Sequence, residues 1–170
     1  MTLYIAYNAV MSATQAITTG QSLATGEKVT LQLGIPSGGY IRLVEWGISF
    51  DGSAAATPAN VELSSTATAT TLTAHSTTSV KPLDDPNAPD SRLTMSTTTT
   101  AYGAVIPASR TVLRIADKQY IAPTNQYVKM WPLGMYPMFG ASGAAQYVQL
   151  CVDTSATVNA LAYIVWEERI

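Results

Sequence analysis

The chain has 170 residues, of which 47% are hydrophobic and only 12% are charged, with a formal net charge of −2. This length and hydrophobic fraction are typical of one folded domain with its own core, which excludes a chain disordered throughout. The charged fraction is about half of the roughly 25% found in average soluble proteins. Because a surface with few charges resists association poorly, the composition favours a protein partly covered by other subunits. The alternative is a secreted β protein with a Thr-rich, uncharged surface.

Two classes of partner are not expected. The nine Lys and Arg residues are scattered singly, whereas a nucleic-acid binder needs a basic stripe to neutralise phosphates. No run approaches the roughly 18 apolar residues of a membrane-spanning helix, so no membrane partner is expected. The first seven residues lack the basic start of a signal peptide. We therefore expect a protein made in a cytoplasm and kept there or released by lysis.

Short alternating apolar segments, separated by Gly, Pro, Asn and Asp, predict β-strands along the chain. In chain order these are residues 3–9, 28–34, 40–50, 60–65, 109–115, 119–122, 126–131, 146–152 and 157–166, with a turn over 116–118. No segment has the period of an amphipathic helix. The pattern predicts an antiparallel β-sandwich, with a jelly roll of about eight strands favoured. An immunoglobulin-like sandwich is second, because the chain is long for it and lacks the Cys…Trp…Cys spacing.

The predicted organisation is a single domain over residues 1–170. Residues 1–26 are a candidate extended N-terminal arm, and the Thr/Ser-rich residues 64–80 are expected to be ordered extended chain. The predicted strand 157–166 is apolar on both faces, so both faces should be covered. Its outer cover is either a neighbouring subunit or the N-terminal strand.

The longest predicted strand, residues 40–50, indicates where the core lies. Side chains alternate along a strand, so one face carries four apolar residues predicted to be core: Val44, Trp46, Ile48 and Phe50. The apolar parity changes between Leu43 and Val44. This change predicts a bulge or a crossing between two sheets.

The inventory of acid–base groups is too small for an enzyme. A Ser-His-Asp or a Cys-His arrangement would need the single His75, which lies in a Thr/Ser-rich stretch and is interpreted as solvent-facing. The single Cys151 fits a small buried position in an alternating strand. Glu45 and Glu62 are candidates for a glycosidase pair, but no pattern places them at a matched separation. We expect no enzymatic activity and no cofactor.

An acidic loop is the one candidate metal site. Residues 84–90 bring together Asp84, Asp85 and Asp90, whose carboxylates are weak calcium candidates. Calcium needs six to eight oxygen ligands, and the loop lacks the spacing of an EF-hand. A turn capped by Asp and Asn side chains explains the same residues and is favoured.

A Met- and aromatic-rich segment is the candidate interface. Its members are Tyr127, Met130, Trp131, Met135, Tyr136, Met138 and Phe139. Met and aromatic side chains adapt to irregular contacts and are enriched at protein interfaces. A loop folded back to plug one end of the sandwich explains them equally well, so both interpretations stay open.

Four segments, residues 42–60, 84–90, 122–134 and 162–168, resemble the capsid decoration (auxiliary or cement) proteins of tailed bacteriophages. The resemblance covers about a third of the chain and lies in phrases rather than in a chemical motif. It implies a β-sandwich that binds the outer surface of an assembled lattice of major capsid protein, often as a homotrimer and without catalysis. It also implies synthesis in the host cytoplasm and a place on the virion. It assigns no contact residues.

A carbohydrate-binding or receptor-binding sandwich, from a phage tail or a secreted protein, is the alternative. Trp46, Trp131 and the tyrosines could stack on sugars. However, Trp46 and Trp166 lie on alternating apolar faces and are predicted core, which leaves Trp131 as the candidate tryptophan. Clustered exposed aromatics would favour sugar binding, and flat apolar rims on two sides would favour a lattice.

Overall fold

The computed structural model describes residues 2–9, 21–52, 57–75, 80–94, 101–106, 109–140 and 144–169. These residues form one short 3-10 helix, Arg92–Thr94, and otherwise strands and connections. The strands are β1 Thr2–Tyr7, β2 Gln21–Leu23, β3 Gly26–Ile35, β4 Tyr40–Phe50, β5 Ala59–Thr66, β6 Thr73–Ala74, β7 Lys81–Pro82, β8 Ala101–Val105, β9 Val112–Ile121, β10 Gln126–Met130, β11 Met138–Gly140, β12 Gln146–Thr154 and β13 Val158–Arg169. Over the described ranges, no helix is long and apolar enough to cross a membrane.

The strands form two antiparallel sheets that pack against each other, which confirms the predicted sandwich. Sheet A has the order β10-β4-β13-β1-β7, with β11 also on β4 and β2 also on β13. Sheet B has the order β6-β8-β3-β12-β5-β9. Side chains of both sheets meet in one hydrophobic core. Strand alternation therefore gives each sheet an inner face, toward the core, and an outer face.

The strand order is that of a jelly roll. The eight principal strands are β1, β3, β4, β5, β9, β10, β12 and β13. When these eight strands are numbered 1 to 8 along the chain, sheet A has the order 6-3-8-1, which is β10-β4-β13-β1. Sheet B has the order 2-7-4-5, which is β3-β12-β5-β9. Two Greek keys wound over two sheets produce this order. The five remaining strands are short and extend the sheets.

A bulge in β4 decides which of its residues reach the core. Glu45 lies opposite Val165, whereas Leu43 lies opposite Trp166, so Val44 is an extra residue with no partner on β13. The bulge predicted from the parity change is confirmed. Val44 itself is half-buried, so its assignment to the core is wrong. Its three predicted companions, Trp46, Ile48 and Phe50, are all in the core.

Strand β9 replaces the two short strands and the turn predicted over residues 109–122. The prediction of a turn over 116–118 is wrong, because β9 is paired with β5 on both sides of it. A register shift there leaves Ala116 unpaired between Ile115 and Asp117. The Asp117 carboxylate accepts hydrogen bonds from the Lys118 backbone N–H at 2.9 Å and from Gln119 Nε2 at 3.0 Å. A bulge thus breaks the alternation without ending the strand.

Strands β1 and β2 pair with successive parts of β13, and Asn8 follows directly after β1. Its side chain continues the hydrogen bonding to β13 between these two strands. Its Nδ2 donates to the Ala160 carbonyl at 3.0 Å, and the Ala162 N–H donates to its Oδ1 at 2.8 Å. Asn8 is fully buried. Its side-chain amide therefore takes the place of strand backbone. Residues 10–20 of the predicted N-terminal arm lie outside the described residues.

Buried polar side chains hold two long connections onto the sandwich. Glu168 accepts hydrogen bonds from Ser91 Oγ, from the Arg92 N–H at 3.0 Å and from Trp166 Nε1 at 3.0 Å, which fixes residues 80–94 on sheet A. Gln149 Nε2 donates to Thr70 Oγ1 at 2.9 Å, which draws residues 67–72 over the outer face of sheet B. Within the Thr/Ser-rich segment, residues 64–66 belong to β5 and residues 73–74 form β6, whereas residues 67–72 belong to neither strand. Residues 76–79 lie outside the described part.

Candidate interaction surface

Exposed apolar side chains are concentrated in one part of the chain. Of the eleven exposed large hydrophobic side chains among the described residues, nine lie between positions 112 and 138. They are Val112, Leu113, Ile115, Tyr120, Val128, Met130, Leu133, Met135 and Met138. We call these nine residues the apolar edge. The other two are Tyr40 and Leu83.

The apolar edge lies where the last strands of both sheets close the same side of the sandwich. Strand β9 ends sheet B, and β10 and β11 end sheet A. Tyr127 Oη of β10 donates to the Asp117 carboxylate of β9 at 3.0 Å, and the Arg114 guanidinium lies 4.3 Å from the ring centroid of Phe139 in β11. These contacts bring the two edge strands together. Ile121 and Ala116 of β9 pack on the core, whereas the nine side chains of the apolar edge are exposed.

A tight turn after β10 presents the two most exposed aliphatic side chains. The Met135 N–H donates to the Pro132 carbonyl at 2.9 Å, and Gly134 has a φ of +85°. A positive φ at the third residue defines a type II turn and favours glycine. Leu133 is 89% exposed and Met135 is 71% exposed. The turn therefore holds both side chains in solvent on a defined backbone.

Strand β9 is poorly suited to pair with a further strand. Its register to β5 shifts twice, between Leu63 and Ser64 and between Ser65 and Thr66. Lys118 and Arg114 place charges along it. Bulges and charges are the devices that keep an edge strand from adding another strand. Addition of a further strand to β9 is therefore disfavoured.

The seven residues of the predicted interface differ in their exposure. Met130, Met135 and Met138 are exposed. Trp131, Tyr127 and Tyr136 are half-buried, and the first two pack against the core. Phe139 is 3% exposed and offers no open surface.

Six members of the apolar edge, namely Leu133, Val128 and the four exposed apolar residues of β9, are not among the seven residues predicted from the sequence. The run Val112-Leu113-Arg114-Ile115 could have indicated the exposed side chains of β9. Its apolar residues would lie on both faces of a strand, and a charged residue interrupts them.

His75 does not lie where the sequence pattern placed it. It is 5% exposed, so the interpretation as a solvent-facing residue is wrong. Burial lowers the pKa of its imidazole to about 4, although a hydrogen bond with the backbone of Tyr7 opposes the shift. A group buried this way favours its neutral form in the native state.

Stability should therefore fall as the pH drops from about 6.5 to about 4. Over this range the unfolded chain binds a proton at His75 and the native chain does not, so protonation favours unfolding. The loss should reach about 3 kcal/mol. Urea unfolding at several pH values measures it, and His75→Gln should flatten the pH dependence in this range. An equally steep dependence in the variant would contradict the assignment.

The other candidate catalytic groups are not assembled. Glu45 lies on the outer face of sheet A, opposite Met130 and Val165, and Glu62 lies on the outer face of sheet B. The whole sandwich separates them, so they are not a glycosidase pair. Cys151 is buried, as predicted, and burial raises the pKa of its thiol to about 12.

The carboxylates of the acidic loop serve as local caps. Asp84 Oδ1 accepts from the Leu3 N–H at 3.0 Å, and Asp85 Oδ1 accepts from the Asn87 N–H at 2.9 Å. Asp90 is half-buried. Across the described ranges, no group of three or more His, Cys, Asp or Glu side chains could hold a metal ion.

A shallow cavity of about 180 Å³ lies on the outer face of sheet A. Its lining includes Tyr7 and Tyr163, whose ring centroids are 5.9 Å apart. Tyr163 lies across β4 at Gly47, where a Cβ would come within 2.5 Å of the ring. Its hydroxyl donates to Glu45, and burial followed by this hydrogen bond raises the tyrosine pKa.

We compared the chain with family models, curated proteins and solved structures. No family model, no curated protein and no solved structure matches the chain.

Proposed function

We propose that this protein is a non-catalytic structural protein that binds the outer surface of an assembled phage capsid as a homo-oligomer, a trimer. The apolar edge carries the proposal, because a concentration of exposed apolar side chains on one side of a small domain is typical of a protein-contact surface. The resemblance to decoration proteins supports the capsid as partner. Jelly rolls occur in viral capsid proteins and also in lectins, so the fold alone does not choose between them.

The chemistry of the chain also favours a structural role over an enzymatic one. Within the described part of the chain, His75 and Cys151 are buried, and Glu45 and Glu62 lie on opposite faces. Charged residues are 12% of the chain, which suits a surface that is covered in its working state. Burying the exposed Met and Leu side chains of the apolar edge on assembly would release hydrophobic free energy.

Co-sedimentation tests the proposal. The protein is mixed with empty shells of the major capsid protein encoded by the same genome, and the pelleted fraction is measured. The wild type should pellet with the shells. The affinity for shells, taken from the pelleted fraction over a series of shell concentrations, should fall at least tenfold for Leu133→Asp, because a buried carboxylate at a contact costs more than about 1.4 kcal/mol. Ser155→Asp is the matched control, since it adds the same charge at an exposed turn between β12 and β13. A wild type that stays in the supernatant would refute capsid binding.

Sugar binding is the second candidate, and the cavity whose lining includes Tyr7 and Tyr163 is the observation that favours it. Aromatic rings beside a carboxylate suit a pyranose, which offers an apolar face and hydroxyl groups. Trp46 is fully buried, and Trp131 is half-buried against the core, so neither tryptophan supplies an open stacking surface. Failure to bind shells, together with perturbation of Tyr163 signals by methyl pyranosides in NMR spectra, would move this candidate to first place.

A further inference from the structure

We propose that an extended segment of the major capsid protein binds β10 as an additional strand of sheet A. The segment that fits has an acidic residue between two apolar ones. This contact rests on the proposed function, because it specifies how the shell engages part of the apolar edge. It adds main-chain hydrogen bonds to the side-chain contacts of that surface.

The backbone of β10 has one side that is free to pair. The Phe50 N–H donates to the Asn125 carbonyl at 3.2 Å, and the Trp131 N–H donates to the Val44 carbonyl at 3.1 Å. In an antiparallel pair, the residues that bond to a given neighbour alternate along the strand. The odd-numbered residues of β10 therefore bond to β4, and the even-numbered residues direct their N–H and C=O groups away from it. The even-numbered residues are Gln126, Val128 and Met130.

The free side of β10 is open to solvent. Among the strands of the described residues, β4 is its single hydrogen-bonded neighbour. Val128 is 52% exposed and Met130 is 65% exposed, so neither side chain is covered by the rest of the sandwich. Unpaired N–H and C=O groups along an open edge strand form a template for another strand.

Strand β10 lacks the irregularities that disfavour strand addition to β9. Its five residues pair with β4 without a register shift, and none of them is a proline. Strand β9 has two register shifts. Because bulges and prolines keep edge strands from adding another strand, β10 is the better acceptor on this side of the sandwich.

Lys129 restricts which segments can pair with β10. It lies between Val128 and Met130 in sequence, and alternation directs it to the opposite face of the sheet. It is half-buried, and none of the three ion pairs among the described residues includes it. A charge at this place opposes pairing with an apolar residue, whereas a carboxylate directly across from it forms a favourable cross-strand pair.

The carboxylate nearest in the hydrogen-bond network to this face of β10 is already engaged. Asp117 accepts hydrogen bonds from the Tyr127 hydroxyl, from the Lys118 N–H and from Gln119 Nε2. The Lys129 ammonium group is therefore the charge that an added strand has to match.

The outer face of sheet A requires apolar residues on both sides of the matching carboxylate. Residues of an added strand across from Val128 and Met130 lie on the same face as these two side chains, and apolar cross-strand pairs stabilise a sheet. Glu45 lies opposite Met130 on that face and accepts a hydrogen bond from the Tyr163 hydroxyl, so it offers a second carboxylate no partner. The pattern that fits is thus apolar, acidic, apolar.

Val128→Pro tests the main-chain bonds. Proline removes an N–H that points away from β4, so the pairing of β10 with β4 is kept. The affinity for empty shells, measured by co-sedimentation, should fall at least about tenfold. Val128→Thr is the matched control, because it keeps the N–H and a β-branched side chain, and it should lose less affinity. A contact through side chains alone predicts the reverse order, which would overturn the proposal.

Hydrogen exchange provides a readout on the wild type, which serves if Val128→Pro does not fold. In the free protein the amides of Val128 and Met130 should exchange quickly, whereas those of Tyr127 and Lys129 are bonded to β4 and should be protected. On shells, exchange at Val128 and Met130 should slow by at least about tenfold. Unchanged exchange at both amides in protein that pellets with shells would contradict an added strand.

Two peptides test the charge requirement without shells. The probes are acetyl-Thr-Val-Glu-Val-Thr-amide and the same peptide with Lys in place of Glu. In NMR spectra the Glu peptide, added in excess, should shift the amide signals of Val128 and Met130 more than the Lys peptide does. Lys129→Glu should reverse this preference. Equal shifts with both peptides, or no shifts, would overturn the proposal.

Failure of the added strand is distinguishable from failure of the proposed function. If Val128→Pro pellets with shells as well as the wild type does, the capsid assignment stands and the added strand is lost. If the wild type does not pellet, the capsid assignment is lost, and the peptides still decide whether β10 accepts a strand of this pattern.

Discussion

Trp46→Ala is expected to lower the free energy of unfolding by about 3–5 kcal/mol, the cost of truncating a buried aromatic side chain. Trp46 is fully buried at the centre of β4, and its ring centroid lies 5.1 Å from that of Tyr127. Removing it leaves a cavity in the core between the two sheets, which the surrounding structure closes only in part. Urea unfolding measures the change, and Tyr120→Ala, at an aromatic that is 77% exposed, should cost less than about 1 kcal/mol.

The two core tryptophans offer a matched comparison. Trp46 and Trp166 are equally buried, but Nε1 of Trp166 donates to Glu168 at 3.0 Å, whereas Nε1 of Trp46 has no acceptor among the described residues. Trp166→Phe should therefore cost about 2 kcal/mol more than Trp46→Phe, the worth of a hydrogen bond to a carboxylate. Equal losses of stability would contradict a structural role for Glu168.

Asn8→Ala should cost about 4 kcal/mol, although the residue contributes little hydrophobic surface. The substitution leaves the Ala162 N–H and the Ala160 carbonyl without their side-chain partners inside sheet A. Each unsatisfied buried group costs about 1–3 kcal/mol. Urea unfolding measures the loss. Hydrogen exchange adds a local readout, because the Ala162 amide should lose protection more than amides at the centre of sheet B.

Asn87→Ala is the control for this substitution. Asn87 is exposed, and the bond that it makes to Asp85 comes from its backbone N–H, which the substitution keeps. Its effect should stay within about 0.5 kcal/mol. If Asn8→Ala were as mild as the control, the side-chain amide would not be replacing strand backbone.

The amino-acid sequence by itself determined most of the long strands, the class of fold and much of the core. Alternation along residues 40–50 was sufficient to place Trp46, Ile48 and Phe50 inside, and the parity change located the bulge at Val44. These features follow from local periodicity, because successive side chains on a strand must face opposite ways. The expectation of a covered surface, drawn from the low charge, stays a prediction.

Only the tertiary structure decided which strands became edges and which polar residues became buried. The run Val112–Ile115 has the composition of a strand that could lie anywhere in a sheet, and it is exposed because β9 has β5 as its single neighbour. His75 lies in a polar stretch, yet it is buried where the chain crosses the sandwich near Tyr7. Burial depends on pairings between residues far apart in the chain, and local periodicity carries no information about those pairings.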